Sequence, residues 1–310
     1  ENELEGNPLL QRMKESRTRL EADKFRPKYH YVNPEGNLND PNGLCFWQGN
    51  WHLFYQAYPP EDTRQHWGHA VSQDLIHWRD LPYAIYPLPE NCCYSGATLV
   101  ENNRVIAMYH GTGVGNIVAT SDDPLLLNWT KLTNAAVIEL KTPDRRKAYQ
   151  LDRFSVYDPC IWKCHNYYYS LSGGVEATGP AGQYVAADFL FKSKDLINWE
   201  FVHSFIEDNI FTRIGDDGAC PYFWPIGNRH ILLFYSHMSG GQYILGSYDT
   251  DKQKFSAEKH GLFNFGASLP SGVHAPSAAP CEDGSVIVIF NMNAGKECEG
   301  WDQIMTLPRK

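Results

Sequence analysis

Three segments far apart in the chain share one pattern. AVSQDLIHW (Ala70 to Trp78), ATSDDPLLLNW (Ala119 to Trp129) and FKSKDLINW (Phe191 to Trp199) each carry a Ser, an Asp, an apolar pair and a closing Trp. Each follows a pair of strand-like runs: LCFWQGNWHLFYQ, ATLVENNRVIAMYHG and PCIWKCHNYYYSLSG. Two further pairs follow, CPYFWPIGNRHILLFYSH and SAAPCEDGSVIVIFNMN. Five units of roughly sixty residues fill the chain from Phe25 onward. Self-similarity at such a period signals radial repetition, with four-stranded blades around a central channel. A Greek-key sandwich is the alternative, but it gives no reason for a recurring Ser-Asp-apolar-Trp strand. The expected fold is therefore all-β, a five-bladed β-propeller over residues 25–310. Residues 1–24, rich in Glu, Arg and Lys, read as a short leader helix outside it.

A chain of 310 residues is long for one domain, yet all-β propellers of this size form single units. The net charge of −9 argues against nucleic acid, whose binders need a basic stripe. No apolar run approaches the roughly 20 residues that span a bilayer. Nine Trp and 18 Tyr make rings plentiful enough either to stack on sugars or to fill the gaps between sheets. The eight cysteines have neither paired zinc spacing nor the look of a disulfide framework, so most read as small buried hydrophobes. The first residue is Glu1, not Met, which leaves open a removed signal peptide or an artificial boundary. The compartment stays open, with a lean to outside the cytoplasm. His66, His69 and His77 match no metal spacing and read as core or rim residues, and HGTGVGN (His110 to Asn116) reads as a hairpin turn. No metal or cofactor is expected.

In a propeller the first strand of each blade opens at the channel, so residues distant in sequence converge there. The opening segments are NDPNG (Asn39 to Gly43), YSGAT (Tyr94 to Thr98), YDPCIW (Tyr157 to Trp162), GACPYFW (Gly218 to Trp224) and HAPSAA (His274 to Ala279). Two of them carry an Asp-Pro pair, at Asp40 and Asp158, 118 residues apart. Proline holds the residue before it in the extended region. An Asp-Pro alone is more often only a turn. Two at equivalent positions flanked by aromatics suit glycoside hydrolysis, which needs carboxylates on one sugar.

RPKYHYVNPEGNLNDPNGL, HLFYQAYP, WGHAVSQDLIHW and GWDQIMTLPR resemble glycoside hydrolase family 32, the invertases, inulinases and levanases. The resemblance runs from about Phe25 to Arg309 and implies a five-bladed propeller followed by a β-sandwich. The chain stops where the sandwich would begin, as expected of a propeller-only form, a truncation or half of a processed protein. The implied substrate is a β-fructofuranoside, a disaccharide or oligosaccharide, hydrolysed with retention. Asp40 matches the nucleophile. Asp158 matches the aspartate that binds ring hydroxyls and stabilises the transition state. Asn39, Gln56, Trp67 and Ser95 match sugar-binding positions. For Gln56 and Ser95 a satisfied strand polar group is an equal alternative, and for Trp67 a core ring.

Two positions depart from the family pattern. The general acid is a Glu in a Glu-Cys-Pro motif, and Ala219 stands there in GACP. Alanine has no proton to give, and general acid catalysis contributes roughly 10²- to 10⁴-fold. A deliberate knockout, takeover by a nearby carboxyl (Asp217 first, Asp216 next) and a non-hydrolytic carbohydrate-binding propeller are the three explanations. Tyr157 replaces the arginine of the Arg-Asp-Pro motif, exchanging several fixed donors for one. Gln56-Ala57-Tyr58-Pro59 also departs from Gln-Tyr-Asn-Pro, so a naturally divergent member is the favoured reading.

Overall fold

In the computed structural model, the residues described are 4–24, 26–36, 38–140, 156–176, 180–183, 185–207, 211–263, 272–293 and 304–305. The first repeat is an antiparallel sheet of β1 (Leu38–Trp47), β2 (Asn50–Ala57), β3 (His66–Ser72) and β4 (Trp78–Ile85). The second has β5 (Cys93–Glu101), β6 (Arg104–Gly111), β7 (Gly115–Ser121) and β8 (Thr130–Lys131), and β9 (Ile138–Glu139) also pairs with β7. The third has β10 (Pro159–Cys164), β11 (Tyr167–Glu176), β12 (Val185–Ser193) and β13 (Trp199–Ser204). The fourth begins with the short β14 (Ile206–Glu207), which pairs in parallel with β18. Its main run is β15 (Ala219–Ile226), β16 (Arg229–Ser236), β17 (Gly240–Asp249) and β18 (Lys254–Leu262). The last sheet has β19 (Gly272–Pro280), β20 (Val286–Asn293) and β21 (Ile304–Met305). Of the motif at Gly300–Arg309, only Ile304 and Met305 are among the described residues.

The first long strand of each sheet packs on its counterpart in the next: β1 on β5, β5 on β10, β10 on β15, β15 on β19, and β19 back on β1. The fold is all-β and propeller-like, with one N-terminal helix. Four sheets have four strands or more, and the described part of the last has three. The large rings do fill the spaces between sheets. Phe205 lies edge-on to Phe223 at 4.8 Å and stacks on Phe255 at 5.8 Å, with Trp162 5.5 Å from Phe223.

The recurring Ser-Asp-apolar-Trp segment is the turn from the third strand of a sheet to the fourth. Ser193 Oγ accepts the amides of Asp195 and Leu196, and Asp195 Oδ1 accepts those of Ile197 and Asn198. Leu196 takes a left-handed φ of 69°, and Trp199 Nε1 donates to its carbonyl. Ser72, Asp74, Leu75 (φ 63°) and Trp78 repeat this bond for bond. Asp123, Leu126 (φ 51°) and Trp129 keep its essentials. Short polar side chains that satisfy turn amides explain why the pattern recurs. Ser193→Ala is expected to cost about 1–2 kcal/mol, read as a lower urea midpoint at unchanged slope.

The leader forms helix α1 (Pro8–Leu20), started by Asn7, whose side chain accepts the amides of Leu9 and Leu10, with Pro8 in the first turn. The helix is docked on the first sheet. Met13 is buried in one cluster with Tyr31, Leu38 and Leu53, and Arg17 pairs with Asp80 of β4.

Candidate active site

Side chains reach the channel end of the sheets because the opening strands are irregular there. Pairing shifts register at Leu38/Pro41 and Asn42/Cys45 in β1, at Cys93/Gly96 in β5, at Ala219/Tyr222 in β15 and at His274/Ser277 in β19. Such bulges re-aim side chains and often border active sites. Gly43 lies in the second of these with φ 50°, and a Cβ there would meet Thr98 Cγ2 at 2.7 Å, so NDPNG must end in glycine. Cys220 and Ala275 hold φ of 51° and 41°, a left-handed conformation costly for side-chain-bearing residues.

The two Asp-Pro acids meet around Cys220. Its Sγ lies 3.5 Å from Asp158 Oδ2 and 3.8 Å from Asp40 Oδ2, and its amide donates to Asp158 Oδ2 at 3.1 Å. One thiol therefore spans both carboxylates. Burial beside the two acids pushes the Cys220 thiol up, so it stays protonated and serves as a donor.

Asp40 is gripped from three sheets. Oδ2 accepts from Ser95 Oγ at 2.6 Å and Gln56 Nε2 at 3.3 Å, and Oδ1 accepts from Asn291 Nδ2 at 3.4 Å. Gln56 Nε2 also donates to Ser95 Oγ at 2.8 Å, while Gln56 Oε1 accepts from Asn39 Nδ2 at 2.8 Å and Gln65 Nε2 at 3.1 Å. Gln56, Ser95 and Asn291 are buried, whereas Asn39, Asp40 and Asp158 are only half-buried. Desolvation raises Asp40 above the usual carboxylate range, and the Ser95 hydrogen bond and the charge of His237 oppose it.

The other expected residues fall around this centre. Tyr157 is buried, its amide bonded to the Gly173 carbonyl and its ring 6.3 Å from His110, which lies 6.3 Å from the exposed Tyr94. Trp67 is fully buried, stacked on Phe54, with Nε1 donating to the Tyr94 carbonyl. It is a core ring, and Gln56 and Ser95 both bond Asp40 Oδ2. Ala219 is buried against Cys220, Tyr235 and Ala275. Asp216 is fully buried and accepts from Ser236 Oγ (2.6 Å), Ser239 Oγ (2.5 Å) and the Arg213 amide (2.6 Å), so it anchors a turn. Asp217 pairs with His237, Oδ2 to Nδ1 at 2.7 Å. No sequence motif marks Cys220, Asn291 or His237 as a site residue. Cys220 and His237 stand within quoted segments, and the NMN at the end of the last strand pair was the trace of Asn291.

No group of three or more His, Cys, Asp or Glu among the described residues could hold a metal ion, and no described helix is long and apolar enough to cross a membrane. His69 is fully buried with its Nε2 3.0 Å from His52 Nδ1, and His77 is exposed.

Residues 30–310 match the family model described as the glycosyl hydrolases family 32 N-terminal domain. A sucrose-6-phosphate hydrolase of Zymomonas mobilis is 30% identical over 329 residues, covering 96% of this chain and 62% of that relative. The insoluble isoenzyme 4 β-fructofuranosidase of Oryza sativa subsp. japonica is 31% identical over 262 residues, covering 74% and 42%. A solved β-fructofuranosidase of Bombyx mori superposes with a TM-score of 0.73 at 26% identity, covering 97% of this chain and 66% of that one. A variant of that protein has been solved in complex with sucrose. The chain thus spans about three fifths of the length of the curated relative from Zymomonas.

Proposed function

We propose that this chain, which belongs to glycosyl hydrolase family 32, is the propeller part of a retaining glycosidase acting on β-fructofuranosides such as sucrose or short fructans. The observation that carries this is the meeting of Asp40 and Asp158 around Cys220, with Asp40 gripped by Ser95, Gln56 and Asn291. Asp40 attacks the anomeric carbon and forms a covalent fructosyl ester. Asp158 takes ring hydroxyls and stabilises the charge that develops at the anomeric centre. Asn39, beside Asp40, and Tyr157, beside Asp158, complete the first sugar subsite. Gln56 and Ser95 act on the sugar through Asp40. Trp67 acts through the wall it backs.

Residues 25–310 form a five-bladed propeller in this reading, with β19–β21 as the fifth blade and residues 1–24 as a docked leader. The ring of contacts that returns from β19 to β1 supports it. The reading needs neither nucleic acid, membrane, metal nor cofactor.

Ala219 favours one alternative, a propeller that binds sugar without cleaving it. Incubating the full protein with sucrose, 1-kestose and levan while following the products by NMR separates the two. The first fructose released is expected as the β-anomer. Saturable binding with no release supports the binding reading instead.

A further inference from the structure

We propose that His237, held by Asp217, is the proton donor and acceptor that replaces the missing glutamate at position 219. The inference rests on the glycosidase reading above and adds to it the residue that moves the proton.

Ala219 pairs with Tyr235 across the β15–β16 hairpin. Two residues beyond that pair, just past the ends of the two strands, Asp217 and His237 meet. Their contact is double: the His237 amide donates to Asp217 Oδ1 at 3.2 Å, and Nδ1 meets Oδ2 at 2.7 Å. A glutamate at 219 would carry its carboxyl several bonds out from the strand. With alanine there, this imidazole is a proton-bearing group close by whose side chain is open to solvent, 61% exposed. Its charge reaches Asp40, and the charges of both Asp40 and Asp217 reach Tyr235, whose ring packs on His237 at 5.1 Å. Tyr235 also packs with Ala219 and Cys220, and the Cys220 thiol bonds Asp40, so a chain of contacts links the imidazole to the nucleophile.

The support is built in. Asp216 Oδ1 accepts from Ser236 and Ser239, which flank His237 and Met238, and Ser236 Oγ also accepts the amides of Met238 and Ser239. The adjacent aspartates have divided the work: Asp216 fixes the turn, Asp217 the ring. Neither is itself the acid. With Nδ1 committed to Asp217, proton exchange falls to Nε2, and a carboxylate partner favours the imidazolium form.

In the first step an Asp40 oxygen bonds the anomeric carbon while the glycosidic C–O bond breaks. The leaving oxygen keeps that electron pair and takes the proton from Nε2. In the second step water bonds the anomeric carbon, gives a proton to Nε2 and releases Asp40 as carboxylate. No other reactant is needed.

Among the described residues, the ring meets Asp217 and Tyr235, the charge of Asp40 acts on it from further off, and His274 lies beyond Tyr235 at 5.2 Å. The test compares wild type, His237→Gln and Asp217→Asn on sucrose and on 4-nitrophenyl β-fructofuranoside, whose leaving group needs little protonation. His237→Gln is expected to lower kcat/KM on sucrose about 10²- to 10⁴-fold. The burst of nitrophenolate should survive within about threefold, and azide should speed turnover by giving β-fructosyl azide. An acid must be protonated to act, so activity falls as pH rises through its pKa. Asp217→Asn removes the carboxylate that favours the charged ring, so the alkaline limb should move to lower pH, a shift that a merely structural residue would not produce. Sucrose cleavage by His237→Gln at the wild-type rate overturns the assignment while leaving the glycosidase reading intact. A wild-type protein that cleaves neither fructoside overturns both.

Discussion

Asp40→Asn is expected to abolish fructoside hydrolysis, lowering kcat/KM by about 10⁴-fold or more on sucrose and on activated fructosides alike. Loss on both separates a nucleophile from a proton donor, whose removal spares a good leaving group. The same substitution should leave the fold as stable as wild type or more so. Desolvation raises the Asp40 carboxyl, so the folded protein holds a charge it disfavours, and an amide of equal size relieves that cost. Ser95 and Gln56, which share one carboxyl oxygen of Asp40, can still bond the amide oxygen. Activity lost with stability retained is the mark of a group kept for chemistry. An equal loss of both would mark Asp40 as a structural turn residue, the reading a lone Asp-Pro invites.

The second large effect is on stability. Asp188 of β12 pairs with Gly173 of β11, where no side chain competes for space. Its Oδ1 has no hydrogen-bond partner and lies 3.6 Å from where a side chain on Gly218 would begin. Burial pushes this carboxyl up to about 8. A folded pKa above the unfolded value means that the unfolded chain sheds its proton from about pH 4, whereas the folded one keeps it until about pH 8. Unfolding is therefore favoured progressively across that window, and stability falls as pH rises through it. Asp188→Asn removes the titration. Relative to wild type, the variant should gain several kcal/mol, up to about 5, between pH 4 and pH 8. Urea unfolding at the two pH values reads this directly, and an unchanged slope in the variant would place the ionisation elsewhere.

The parts of the molecule that local chemistry writes were open to reading from sequence. The Ser-Asp-apolar-Trp turns announce themselves because each side chain satisfies amides two or three residues away, and their spacing predicts the repeating sheets. Asp40 and Asp158 could be matched because both carry proline and both open a first strand. The rest of the site depends on register between strands, which one sequence does not state. His237 is eighteen residues from Ala219 and becomes its near neighbour only through the β15–β16 hairpin. Asn291 arrives from the second strand of the last sheet. Cys220 comes between the acids because a bulge turns its backbone left-handed, a conformation no composition predicts for cysteine. Trp67 shows the opposite limit: a ring in a quoted motif fits a sugar platform or a core equally well, and its depth decides.

Peptide mass spectrometry of the full protein, quenched in acid during turnover of β-fructofuranosyl fluoride, tests the central claim most directly. The expected result is one fructosyl unit on the peptide containing Asp40, missing from Asp40→Asn. A fructosyl ester on any other residue, or consumption of the fluoride with no ester formed, would contradict it.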